Sequence, residues 1–149
     1  MELSPHFTLA ELSRTDTGIA NEPGVEEGAN LVRLAVYLLE PIRERLGGPM
    51  IVHSGFRCPD VNRRVGGDRT SAHMFGRACD FAPQGMSCQA AFDLIRASNI
   101  PFDKMLLEEH GGSYWIHVQI APQGMEPRGK CYIAQVTDTG TAYREVPRG

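Results

Sequence analysis

Ser71-Ala72-His73-Met74-Phe75-Gly76-Arg77-Ala78-Cys79-Asp80 sets an imidazole and a carboxylate on either side of a glycine, near the middle of the chain. Downstream, Tyr114-Trp115-Ile116-His117-Val118 adds a second imidazole. Two imidazoles and one carboxylate suit zinc, and an open catalytic zinc site uses three protein ligands and leaves the fourth position to water. His73, Asp80 and His117 are therefore the expected metal ligands, and a water acidified by that metal is the expected reagent. Gly76 lets the backbone turn tightly between the first two ligands, where a side chain would crowd the site. Singly, each residue has a plain alternative, a satisfied core histidine or a capping aspartate. Together they point to a metallohydrolase.

Outward from these segments, the pattern predicts an α+β fold with a mainly antiparallel sheet packed against helices. Thr8-Leu-Ala-Glu11 has the spacing of a capping box and predicts a short helix. Asn21 to Gly24 reads as a turn. From Glu26 to about Leu46, Leu31, Leu34, Ala35, Leu38, Leu39, Ile42 and Leu46 recur at helical spacing, with Pro41 expected to kink or divide the element. Met50 to His53 predicts a strand, Gly55 to Gly76 an irregular polar segment, and Ala78 to Phe81 a short strand. Ser87 can cap a helix through Ser98. Met105 to Glu108, Tyr114 to Ile120, Cys131 to Val136 and Ala142 to Val146 predict strands, with Gly111, Gly112 and Gly140 in hairpin turns.

Composition narrows the function classes. The 149 residues contain no repeat and no Pro/Gly/Ser-rich linker, so residues 1–149 are expected to form one domain. A net charge of −3, with no Lys/Arg run along a face, argues against a nucleic-acid partner. The longest apolar stretch, around Leu34 to Leu39, is far too short to span a bilayer. Met1-Glu-Leu-Ser-Pro lacks the charged and apolar regions of a secretory signal, so none is expected. Cys58, Cys79, Cys88 and Cys131 form no CxxC pair and read as free thiols, Cys79 as core.

The motif Ser-x-His-x-x-Gly-x-Ala-x-Asp, followed by Trp-x-His, resembles the zinc D-alanyl-D-alanine carboxypeptidase family. That family includes phage L-alanyl-D-glutamate endolysins and vancomycin-resistance dipeptidases. The likeness runs nearly the whole length, through His6-Phe7-Thr8-Leu-Ala-Glu11, Ser54-Gly55-Phe56-Arg57, Asn62-x-x-Val65-Gly66-Gly67 and Arg128-Gly-Lys. The ending, with its Tyr143 hairpin, looks like the small phage-encoded branch. The resemblance implies a hedgehog/DD-peptidase-like fold, a Zn2+ cofactor and peptidoglycan stem or cross-link peptides as partners. It also implies a protein made in the host cytoplasm that meets the wall after lysis or within a virion.

By the same resemblance, Arg57 faces the scissile carbonyl, where a fixed guanidinium would steady an oxyanion. Pairing with Asp60 is its alternative. Ser71 matches a substrate-contacting serine, and a local turn bond is its alternative. Better-known members carry an acidic base three residues before the final histidine, where this chain has Tyr114, a poor base near neutrality. Glu108 matches an acid of the phage branch and is the expected base. Strand alternation lets only one of Glu108 and Glu109 face the site. Asp103 is a further candidate. Tyr114 also sustains a second function, a non-catalytic zinc-binding module of a virion whose partners are phage structural proteins. The DD, LD and L-Ala-D-Glu activities share these ligands, so the bond that is cut stays open.

Overall fold

A computed structural model describes residues 1–149. Glu2–Ser4 (β1) pairs antiparallel with Phe7–Thr8 (β2), and Leu9–Leu12 (α1) follows at once. The Thr8 hydroxyl caps α1 by accepting from the Glu11 N–H at 3.1 Å, as the spacing predicts. The expected turn at Asn21 to Gly24 is not formed; the segment is irregular and leads, through an extended Gly24, into the next helix. Asn21 is buried, and its amide binds the carbonyls of Ser13 and Phe56 and the N–H of Cys58. Those bonds stiffen the backbone on both sides of Arg57.

Val25–Leu34 (α2) runs without a break through a π-helical stretch, Ala35–Leu39, into Glu40–Leu46 (α3). Pro41 therefore neither divides nor ends the element. It sits at the start of α3, directly after the π-helical stretch, and its missing N–H leaves one carbonyl of the preceding turn without a helical donor. Just ahead of it the ladder slips by one residue, so that the Glu40 N–H reaches the Ala35 carbonyl. A widened turn removes the clash that a proline ring makes with the carbonyl one α-turn earlier. Gly47, at φ 74°, then closes the helix.

The central sheet has six strands: Met50–Ser54 (β3), Ala78–Pro83 (β4), Lys104–His110 (β5), Ser113–Gln119 (β6), Lys130–Thr137 (β7) and Gly140–Val146 (β8). Their spatial order is β3-β4-β6-β5-β7-β8. All neighbours pair antiparallel except β5 and β7, which run parallel. The fold is α+β with a mainly antiparallel sheet. Between β3 and β4, the stretch expected to be irregular holds a helix, Pro59–Arg64 (α4), and a 3-10 turn, Ala72–Phe75. The helix Cys88–Ala97 (α5) is capped by the Ser87 hydroxyl on the Ala90 N–H.

Strand alternation divides the sheet's two faces. Cys79 and Phe81 of β4, Met105 and Leu107 of β5, and Ile116 and Val118 of β6 are buried. They join Leu31, Leu34, Leu38, Leu39 and Ile42 of the long helix, and Phe92 and Ile95 of α5, in one core. The opposite face carries Asp80, Glu108, Trp115 and His117 toward a cleft. All four cysteines are free thiols.

Candidate metal centre

β4 and β6 are registered so that Asp80 lies directly opposite His117, and β5 so that Leu106 does. Cross-strand partners share a face. This places the Asp80 carboxylate against the His117 ring, with Oδ1 and Nδ1 2.9 Å apart. His73 comes from the 3-10 turn, whose start is capped by the Ser71 hydroxyl accepting from the His73 N–H at 3.2 Å. Gly76 ends that turn at φ 74°, and a Cβ there would strike the carbonyl oxygen of Glu27 in α2. Here glycine is required by backbone and by space. Gly55 is confined by space alone, since a Cβ there would strike the Leu12 carbonyl. Its own carbonyl accepts from His73 Nδ1 at 2.7 Å. Because a carbonyl only accepts, His73 carries its proton on Nδ1 and turns the Nε2 lone pair inward.

His73 Nε2 lies 3.3 Å from Asp80 Oδ1. One potential ligand atom from each of His73, Asp80 and His117 falls within 4.8 Å of the other two. The imidazoles meet edge to face, with centroids 5.1 Å apart. Burial alone would raise the Asp80 pKa, but His73 and His117 outweigh it and hold the carboxyl far below the usual range. Burial lowers His73, with Asp80 opposing. His117 is also disfavoured as a cation by burial, yet its bond to Asp80 raises its pKa overall. A permanently ionised carboxylate between two inward-facing imidazoles, each with its second nitrogen already bonded, fits Zn2+.

The triad opens onto a cleft of roughly 770 Å³. Arg57 lines it, with Nη2 3.4 Å from the Ser71 hydroxyl and a buried Nε that has no partner. The surface pairing considered for Arg57 is not made, since Asp60 binds Arg63 at 3.1 Å. Desolvation lowers the Arg57 pKa, while the charges of Asp80 and Glu108 support its cation. Ser71 makes the local turn bond and also lines the cleft. Glu108 lies opposite Trp115, whose indole N–H donates to Oε2 at 2.6 Å, leaving Oε1 free of that bond. Glu109 and Tyr114 pair on the other face, Tyr114 exposed and Glu109 accepting from the Gly112 N–H.

Other histidines lie elsewhere. His6 binds Glu40, His110 faces Asp138, and His53 is exposed on β3. Asp103 is also not presented as a base. It is buried and held by Arg128 and Gln119. Sequence reasoning assigns no role at the site to Asn21, to Gly55 as an acceptor, to Gln119 or to Arg128, although Arg128 stands in a segment that carries the family likeness. Position along β6 could have flagged Gln119, which follows His117 by one alternation.

A family model described as Peptidase M15 matches residues 5–119. The zinc D-Ala-D-Ala carboxypeptidase of Streptomyces albus G is 35% identical over 78 residues, covering 50% of this chain and 30% of that protein. The chain therefore matches about 30% of that relative's length. The matched family segment contains His73, Asp80 and His117 and ends before β7 and β8.

Proposed function

The chain belongs to the M15 peptidase family, and from that premise we propose that it is a zinc peptidase hydrolysing an amide bond of peptidoglycan stem or cross-link peptides. The observation that carries this reading is the convergence of His73, Asp80 and His117 on one point of a cleft that Glu108 and Arg57 also line. The carboxypeptidase name of the Streptomyces relative supports the substrate class. His73, Asp80 and His117 would hold the ion, which when bound would polarise an amide carbonyl and acidify a water.

The chain's own side chains supply the rest. Arg57 faces the carbonyl oxygen and stabilises the negative charge that gathers there as water adds to the carbon. Glu108, with one oxygen fixed by Trp115, takes a proton from the attacking water. It returns the proton to the amine as the C–N bond breaks. Ser71, whose oxygen already accepts from His73 N–H, keeps its own O–H for a substrate carbonyl or carboxylate. We place the protein in a phage or prophage setting, acting on the wall after lysis or from a virion, on the resemblance of its Arg128-Gly-Lys ending.

Purified protein incubated with muropeptides, with and without a chelator, tests the reading. Release of an amine or of D-alanine that stops on chelation and returns with zinc is expected. Stoichiometric zinc without turnover on any stem or cross-link peptide would favour a non-catalytic zinc module instead.

A further inference from the structure

His117 is the one proposed imidazole ligand whose outer nitrogen is not fixed by a backbone carbonyl. Its Nε2 meets Gln119 Oε1 at 2.8 Å, and a glutamine amide can present either a donor or an acceptor there. What decides between them lies one bond further on. Gln119 Nε2 reaches Asp103 Oδ2 at 3.3 Å. Asp103 is buried, and Arg128 gives it three donors: the backbone N–H at 3.2 Å, Nε at 3.0 Å and Nη2 at 2.8 Å. A carboxylate held by a guanidinium fork is ionised and only accepts. Gln119 must therefore turn its NH2 toward Asp103 and its oxygen toward His117. That oxygen requires a proton on Nε2, which leaves the Nδ1 lone pair facing Asp80.

We propose that Gln119, oriented by Asp103 and Arg128, is a positioning residue that fixes His117 as the Nε2–H tautomer and so presents Nδ1 to the metal. The proposal rests on the zinc reading of the cluster. Arg128 lies beyond the family-matched residues 5–119. This chain thus orients one proposed ligand of the family site from the loop that leads into β7.

Zinc affinity, measured by competition with a chromogenic chelator on protein shown to be folded by circular dichroism, tests it. Gln119→Leu removes the acceptor and should weaken zinc about 10- to 100-fold, the range typical of lost outer partners. Asp103→Asn is the sharper variant, because it is nearly isosteric. Arg128 would hold the oxygen of the new amide and leave its NH2 facing Gln119, which must then flip and offer His117 a donor. Affinity should again fall by at least about tenfold. Adding Gln119→Glu to Asp103→Asn restores an acceptor both for His117 and for the new amide's NH2, and should recover most of the loss. Ring 15N spectra of the zinc-loaded wild type should show the His117 proton on Nε2.

Asp103→Asn with wild-type affinity, or a double variant no better than the single, would overturn the proposal and leave these residues a packing role. A proton on Nδ1 would do the same. Wild-type protein that takes up no stoichiometric zinc would instead sink the metal reading itself.

Discussion

Glu108 sits where opposing influences meet. Burial and the Asp80 charge raise its pKa, and His117, the Trp115 indole and Arg57 lower it, with a net upward shift. A carboxylate moved toward neutrality is a better proton acceptor at working pH. Glu108→Gln should therefore lose about 100- to 10,000-fold in turnover while binding zinc as before. Glu109→Gln, on the other face, should change turnover little. Equal losses from the two would mark the effect as structural. Alternation alone permits either phase; the resemblance favoured Glu108, and the pairing of Leu106 with His117 puts Glu108 on the cleft face. Asp103 offers a second residue-level test. Burial raises its pKa, but Arg128's bonds and charge outweigh this and hold it below the usual range. A carboxylate with a depressed folded pKa stabilises fully above its unfolded value, about 3.9, and that stability is lost as pH falls through the folded value. The stability gap between wild type and Asp103→Asn, from urea unfolding at several pH values, should narrow below about pH 4. A gap constant down to strong acid would mean that Asp103 is not ionised in the fold.

Among the elements, legibility followed the range of the forces involved. The stripe from Leu31 to Leu46 announced the long helix because burial imposes a helical period on apolar residues. The π-helical slip before Pro41 leaves that period nearly intact, so it was invisible as spacing. The helix α4 was missed because its only buried apolar residue is Val61, too little to make a stripe. The parallel joining of β5 and β7 depends on where the segment after β6 returns, which no local pattern encodes. The 3-10 turn bearing His73 depends on Gly76, with its positive φ and the Glu27 carbonyl against it. Gly76→Ala combines left-handed strain of about 1–3 kcal/mol with overpacking of similar size. It should cost about 2 kcal/mol or more in urea unfolding and weaken zinc binding, because the turn must move away from α2. A variant as stable as wild type would show that α2 yields freely at that contact.

Over the whole molecule, the three proposed ligands come from the 3-10 turn, from β4 and from β6, so the site exists only when the sheet is paired and the turn is docked on α2. The three candidate ligands could be picked out in the sequence because imidazole and carboxylate side chains in that order carry their chemistry with them, and the fold brings them together. Their outer partners could not, since Gly55, Gln119 and Arg128 act through tertiary contacts. Coupling between site and fold gives a global prediction. A ligand that binds only the folded state stabilises it by about 2.7 kcal/mol at a free concentration of about 100 times its Kd. For a domain of this size, each kcal/mol moves the melting temperature by roughly 2–4 °C. Zinc at that excess should raise the melting temperature by about 5–11 °C, and chelation should reverse it. His73→Ala and His117→Ala should each remove most of the zinc-dependent rise, whatever they do to the metal-free midpoint. His53→Ala, at an exposed histidine away from the cleft, should keep the full rise. Because both imidazoles must be unprotonated to bind, the rise should shrink as pH falls below neutrality. A zinc-dependent rise that survives both ligand substitutions would place the stabilising ion somewhere other than between β4, β6 and the turn.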